Sequence, residues 1–505
     1  MLYDILVRSG ERFGDRDALA YGGRAYSYRE LLQMTDALAD SLQELGLKRG
    51  ERLALYLFNC PELILCYFAC FKLGVTVVPI NYRLKEDEAR YIIGHSRPSV
   101  LVSEQRLYAR IAAVMPELPG VQRRYLLDPS EAFAGTLPFS DLLAPSKRAA
   151  SFGDVSGDTV AVVLYTSGTT GNPKGSLLAH DQMMLHTRGH CRLVRYDSRD
   201  RTLVCLALSN NFAFSHQMLS ALYSGATLVV NSDFDPKEVL STIEHGGITM
   251  LYMMPVMFHA LNKAAESRAH PVPNRLRLAV VAGDTTPKVV FERFKRFFGL
   301  EMCEGIGMTE TQIYALNPLG KGKKFGSVGL PVGYTEVAVQ DDAGKASPGG
   351  EIGEIAVRGE IVMQRYLDNP EANASSFRGG WFLTGDLGCF DEEGYLWFRG
   401  RRKQLIVHDG HNISPQEVEE VFYHHPCVFE VGVVGIPDKY AGETLHAFVA
   451  LKQGAAVGAE ELLAYASGHI ADYKLPETIT FIDTLPKGST GKIDRKLLQK
   501  YKMAQ

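Results

Sequence analysis

Residues 160–175 join an apolar run, Val160-Ala161-Val162-Val163-Leu164-Tyr165, to Thr166-Ser167-Gly168-Thr169-Thr170-Gly171-Asn172-Pro173-Lys174-Gly175. The first part reads as a buried strand. The second is a loop of glycines, hydroxyls and one lysine. Glycines let the backbone turn its N–H groups towards an anion, hydroxyls add donors, and Lys174 adds a mobile positive charge. This composition suits a nucleotide triphosphate, although a glycine-rich surface turn has the same look. It is not a Walker A loop, because Pro173 stands where that pattern has glycine and Gly175 follows the lysine.

The rest of the chain alternates strand-like and helix-like segments up to about residue 325. Arg52–Phe58, Val75–Ile80, Thr202–Leu208, Thr227–Val230 and Leu276–Ala282 read as strands. Pro61–Leu73, Gln217–Tyr223 and Pro287–Phe298 read as helices. Such alternation predicts parallel sheets covered by helices. From Gly326 to Arg399, short β runs (Glu336–Gln340, Gly353–Arg358, Tyr395–Arg399) predict a small barrel-like unit. The polar stretch Gly400-Arg401-Arg402-Lys403-Gln404 reads as a domain junction. Beyond it, Ser414-Pro415-Gln416-Glu417 is a capping-box pattern that predicts a helix start. Strand-like Val428–Gly435, Thr444–Leu451 and Thr478–Ile482 with helix-like Glu460–Ile470 complete an α+β unit. The expected fold class is therefore α/β. A large N-terminal domain, 1–400, holds two α/β subdomains and the β-barrel-like one, and a small mobile α+β domain, 401–505, follows.

Composition excludes several classes. A formal charge of −4 offers no basic footprint for nucleic acid. Eight cysteines without a Cys-x-x-Cys pair read as reduced thiols of a cytoplasmic protein. The apolar region Leu53–Ile80 is interrupted by Asn59, Pro61, Glu62 and Lys72, so no membrane span is expected.

Four further clusters share the chemistry of the opening loop. They are Gly305-Ile306-Gly307-Met308-Thr309-Glu310, Trp381-Phe382-Leu383-Thr384-Gly385-Asp386, Gly400-Arg401-Arg402-Lys403 and Gly488-Ser489-Thr490-Gly491-Lys492. In this order and spacing, the chain resembles the adenylate-forming superfamily of acyl- and aryl-CoA synthetases, luciferase and peptide-synthetase adenylation domains. The resemblance spans essentially the whole chain and is closest to a stand-alone acyl- or aryl-CoA ligase.

That resemblance implies ATP, Mg²⁺ and coenzyme A as cosubstrates, with a small carboxylic acid as the partner and a monomer or homodimer as the assembly. It assigns Thr166, Ser167, Gly168, Thr169, Thr170 and Lys174 to the β- and γ-phosphates. Thr309 goes to the α-phosphate, Glu310 to Mg²⁺, and Gly283, beside Asp284, to the adenine. Asp386 goes to the ribose, Arg401 to ribose and phosphates, and Lys492 to the substrate carboxylate and α-phosphate. Lys403 would be the hinge and Gly410 would line the coenzyme A tunnel. The implied reaction is an acyl-adenylation followed by thioester formation. An amine acceptor, loading of a separate carrier protein and a catalytically silent relative are the alternatives.

Two positions depart from the family pattern. Ile306 stands where a tyrosine commonly stacks on adenine, and Asn210 stands where many synthetases carry a histidine. Asn210, Asn211, Phe212 and Gly305 are expected to shape the acid pocket, with His216 beside it. His186 and His190, four apart on a probable helix, have no third metal ligand near them in sequence.

Overall fold

The computed structural model describes residues 1–128, 133–144, 155–166, 172–268, 271–284, 286–438, 441–488 and 492–503. Among these, strands form four sheets. An eight-stranded sheet has the order 365–366, 174–179, 160–166, 76–79, 52–56, 100–103, 123–126, 137–138. Its strands from 160–166 through to 137–138 pair in parallel, while Lys174–Ala179 runs back antiparallel to Val160–Thr166. A nine-stranded sheet has a parallel run of 17–21, 227–230, 201–204, 250–253, 278–281 and 303–308. Antiparallel strands 24–27, 312–316 and 330–331 flank that run.

The helix Pro61–Leu73 shows why the two large sheets belong to one body. Proline opens it, Gly74 closes it in the left-handed region (φ 68°), and all positions but Glu62 and Lys72 are buried. A helix apolar on every face needs protein on every side. Leu164 of the eight-stranded sheet and Val204 of the nine-stranded sheet share its hydrophobic cluster.

The third sheet is antiparallel. It pairs 336–340 with 353–358 and 353–358 with the long strand Trp381–Phe390, whose second half pairs with Leu396–Arg401. The fourth sheet contains 406–408, 411–413, 428–438 and 442–451 in antiparallel pairing, and 478–481 joins 442–451 in parallel. The strand–helix alternation, the antiparallel unit and the terminal α+β unit thus follow the sequence reading.

Two local expectations change. Ser414 precedes the helix Pro415–Tyr423 as expected, but its hydroxyl makes no cap. It donates instead to Gln416 Oε1 (3.0 Å), and Glu417 is drawn away to pair with Lys474. The segment read as a helix from Gln217 begins earlier, as a π-helix over Phe212–Leu219 that continues into Ser220–Ser224.

Behind the C-terminal lysine loop, Arg495 Nη2 donates to both oxygens of buried Glu419, each at 2.7 Å. Glu419 Oε1 also accepts from the Val433 N–H at 2.7 Å. Glu419→Ala leaves a guanidinium and a backbone donor without their acceptor. The expected loss of unfolding free energy is about 3–5 kcal/mol. Denaturant titration of the full chain checks this, and an unchanged midpoint contradicts it.

Candidate active site

The strands on either side of the opening loop, Val160–Thr166 and Lys174–Ala179, pair antiparallel. Thr166 pairs with Lys174 and Tyr165 with Gly175 across the antiparallel strands. A Cβ on Gly175 would lie 2.8 Å from Val163 Cγ1 and 3.1 Å from Tyr165 Cζ, so the packing between these strands requires glycine. The tyrosine hydroxyl is fixed by His95 Nδ1 at 2.7 Å. A strand after the loop, rather than a helix, separates this geometry from a Walker A site. Ser167, Gly168, Thr169 and Thr170 lie outside the described residues.

Lys174, at the start of the returning strand, points its Nζ at the Tyr366 ring, 4.7 Å from the centroid. Tyr366 also donates its hydroxyl to Glu310 Oε1 at 2.8 Å. One tyrosine therefore touches both the loop lysine and the expected metal-binding carboxylate. It had no signal in the sequence, because it sits on a two-residue strand pairing with 174–179.

Glu310 occupies a tight turn between strands 303–308 and 312–316. Gln312 enters the left-handed region (φ 57°) to close the turn, and its amide donates to Thr309 O at 3.1 Å. A Cβ on Gly307 would lie 2.6 Å from Gln312 O and 2.7 Å from Ile313 Cα, which forces glycine there. Glu310 is 3% exposed, and among the described residues its Oε2 has no hydrogen-bond partner. Burial raises its pKa, while Tyr366, Arg401 and Lys174 oppose the rise. A buried carboxylate oxygen without a donor fits a cation. Among the described residues no group of three or more acidic, His or Cys side chains is placed to hold one. This donor set suits Mg²⁺, which commonly takes one or two carboxylates and completes its shell with phosphates and water.

Asp386, 4% exposed, stands opposite Arg401 in the strand register. Arg401 Nε pairs with Asp386 Oδ1 at 3.0 Å, and among the described residues that oxygen accepts no hydrogen bond. Burial raises the Asp386 pKa, against the pull of Arg401 and Lys492. Lys492 is half-buried beside Arg401, Asp284, Asp386 and Arg495, and burial lowers its pKa. Lys403 follows in the short turn Arg402–Gln404, and its charge adds to the burial that lowers the Lys174 pKa.

Asp386 and Arg401 line a cleft of about 1930 Å³ together with Gly283, Asp284, Gly305 and Ile306, while Lys174, Thr309, Glu310 and Tyr366 are not among its lining residues. Lys403 and Lys492 reach it from the C-terminal side. Ile306 packs on the cluster containing Tyr314 and Val328. Glu304, beside Thr286, has its pKa pushed up to about 8 by burial. Gly410 is not brought to this cleft. It sits in the turn between strands 406–408 and 411–413 at φ 78°, and a Cβ there would meet nothing within 4 Å.

In the expected acid pocket, Asn211 Nδ2 donates to Gln312 Oε1 at 3.0 Å. Asn210 Oδ1 accepts from the Phe212 N–H at 2.8 Å. The pocket segment is thereby tied to the Thr309–Glu310 turn, a link supplied by Gln312 that sequence reasoning did not anticipate.

Two family models match the chain: "AMP-binding enzyme" over residues 6–367 and "AMP-binding enzyme C-terminal domain" over residues 417–492. The chain belongs to the AMP-binding enzyme family. Within the family it is similar to a feruloyl-CoA synthase of Amycolatopsis sp, with 33% identity over 96% of each chain. It is also similar to a 2-succinylbenzoate–CoA ligase of Bacillus licheniformis, with 33% identity over 98% of each. The solved structure of the anthranilate CoA ligase AuaEII with anthranoyl-AMP superposes with a TM-score of 0.91 at 30% identity. It covers 100% of this chain and 97% of its own. Among the described residues no helix is long and apolar enough to cross a membrane.

Tyr366→Phe removes the one side-chain donor seen on Glu310. Losing a hydrogen bond to a buried charged group costs about 1–3 kcal/mol, so the KM for Mg²⁺–ATP should rise about 5- to 100-fold. Steady-state pyrophosphate release checks this, and an unchanged KM contradicts it. The lowered Lys492 pKa gives a pH dependence as well. The same activity should decline with rising pH before the ordinary lysine value of 10.5 is reached. Lys492→Arg should move that alkaline limb upward, because guanidinium stays charged.

Proposed function

We propose that the chain is an ATP-dependent carboxylic acid–CoA ligase. It joins the acid to AMP with release of pyrophosphate, then transfers the acyl group to the thiol of coenzyme A with release of AMP. One observation carries this reading: Lys492, from the C-terminal unit, lies beside Arg401 and Asp386 in the cleft. A carboxylate oxygen attacking the α-phosphorus brings two anions together, and the bond to pyrophosphate breaks as the new P–O bond forms. Positive charge fixed where that negative charge develops lowers the barrier. Lys492 fills this role for the carboxylate and α-phosphate. Lys174 and the opening loop, including Thr166, Ser167, Gly168, Thr169 and Thr170, serve the leaving pyrophosphate, and Thr309 meets the α-phosphate.

Asp386 accepts from the ribose hydroxyls through its open oxygen, and Arg401 holds that carboxylate charged. Gly283 and Ile306 flank the adenine. Glu310 holds Mg²⁺, which when bound neutralises the phosphates. Residues 1–400 and 401–505 act as separate domains, with Lys403 as pivot. A rotation there withdraws Lys492 and brings Gly410 to the path of the pantetheine arm, its positive φ already reserved for glycine. Asn210, Asn211, Phe212 and Gly305 border the acid. The names of the relatives favour coenzyme A over an amine or a carrier protein as acceptor, and of these four relatives three are named for an aryl acid and one for a fatty acid.

Lys492→Ala should abolish acid-dependent pyrophosphate release while leaving thioester formation from a supplied acyl-adenylate within about tenfold of the parent, as a lysine used in only one half-reaction requires. Equal loss of both half-reactions contradicts the rotation. If an amine yields amide while coenzyme A yields no thioester, the acceptor assignment is wrong.

A further inference from the structure

Behind Phe212 the fold assembles three histidines that the reaction just described does not use. His186 and His190 lie one turn apart on the helix His180–Val194, and His216 lies on the π-helix Phe212–Leu219. His186 and His190 are fully buried, and His216 is 4% exposed. The His216 ring centroid lies 4.6 Å from His186 and 4.8 Å from His190. The third histidine missing from the local sequence is therefore supplied by a distant segment. The three do not form a group placed to hold a metal among the described residues.

A neutral imidazole carries one donor and one acceptor, and buried polar atoms are nearly always paired. Here His190 Nε2 meets Tyr252 OH at 3.2 Å, and His216 Nδ1 meets Ser215 Oγ at 2.8 Å. Among the described residues, both nitrogens of His186, Nδ1 of His190 and Nε2 of His216 have no hydrogen-bond partner. Asn211 Oδ1 and Tyr334 OH, at the margins of the cluster, are also without one. Burial holds all three imidazoles neutral, lowering the His216 pKa to about 3. The complementary group is accordingly uncharged.

Position and shape narrow it further. The π-helix is wider than an α-helix, and such turns concentrate at functional sites. It begins beside Asn211, which is bonded to Gln312, which is bonded in turn to Thr309 O. The cluster thus lies one helical turn beyond the residue tied to the adenylation turn. The half-buried Phe212 ring lies 5.3 Å from His216 and 5.7 Å from Tyr252, edge-on to both. Tyr334 stands edge-on to His186 at 6.0 Å. Walls of flat rings suit an aromatic ligand.

We propose that His186, His190 and His216 form the distal end of the acid pocket and receive an uncharged hydrogen-bonding substituent, such as a phenolic hydroxyl, of an aryl carboxylic acid. This inference rests on the acid–CoA ligase reading. A site built to bond a hydroxyl rejects the analogue lacking it, because its own polar atoms are then stranded.

The test compares kcat/KM for acid-dependent pyrophosphate release with 4-hydroxycinnamate against cinnamate, and with 4-hydroxybenzoate against benzoate, using the full chain. The parent should prefer at least one hydroxylated acid by about tenfold or more, mainly through KM. His216→Leu and His186→Leu should each bring that ratio to within about twofold of one, whereas His186→Gln, which keeps a donor and an acceptor, should retain most of it. A parent ratio at or below one overturns the proposal. So does an unchanged ratio in both leucine variants, the outcome expected if only ordered water fills the cluster. Octanoate turning over faster than every aryl acid sinks the aryl inference and leaves the ligase reading standing. If no acid drives pyrophosphate release, both fail.

Discussion

Two carboxylates, Glu310 and Asp386, are each almost wholly buried and each retain an oxygen without a hydrogen bond among the described residues. Burial raises both pKa values and so works against the ionised form of each. What opposes the rise is the Tyr366 hydroxyl at Glu310 together with cations from three parts of the chain: Arg401 from the end of the antiparallel sheet, Lys174 from the returning strand 174–179, and Lys492 from the C-terminal unit. The cations are in turn strained by one another, since Lys403 adds to the lowering at Lys174 and Arg401 to that at Lys492. A site left in this balance is poised for a ligand that is itself polyanionic and accompanied by a metal. Lys492, from the C-terminal unit, supplies part of the charge that opposes the rise at Asp386.

Backbone proximity is the second constraint. Gly175, Gly307 and Gly400 each sit where a Cβ would intrude, on Tyr165 and Val163, on the Gln312 backbone, and on Ser414 Oγ at 2.6 Å respectively. They stand just after the phosphate loop, beside the Thr309–Glu310 turn and at the domain junction. Lys174 directly precedes Gly175, Arg401 directly follows Gly400, and Thr309 lies two residues beyond Gly307, so the close packing fixes where these side chains emerge.

Much of this was legible beforehand, for physical reasons. The helix Pro61–Leu73 carried its proline start, glycine stop and apolar faces in sequence, and the structure places its ends at those residues. The strands Thr227–Val230, Glu336–Gln340 and Gly353–Arg358 were bounded by turn residues and likewise keep their limits. The site clusters were readable because glycines, hydroxyls and charges stand close together in the chain. What stayed hidden depends on contacts between distant segments. Tyr366 is an ordinary aromatic until a two-residue strand lays it between Lys174 and Glu310. Gln312 is an ordinary amide until its left-handed backbone closes the turn. His216 reads as an isolated histidine until the π-helix carries it against His186 and His190. The Ser414 pattern failed differently, since better partners for Ser414 and Glu417 were available in Gln416 and Lys474.

The central claim is that this balance of buried charge activates a carboxylate through AMP rather than through phosphate. It is tested most directly by following every product when the purified chain meets ATP, Mg²⁺, coenzyme A and an aryl acid. The account predicts AMP, pyrophosphate and acyl-CoA in equal amounts, each dependent on the acid. Formation of ADP and inorganic phosphate with the thioester, or pyrophosphate release indifferent to the acid, would contradict it.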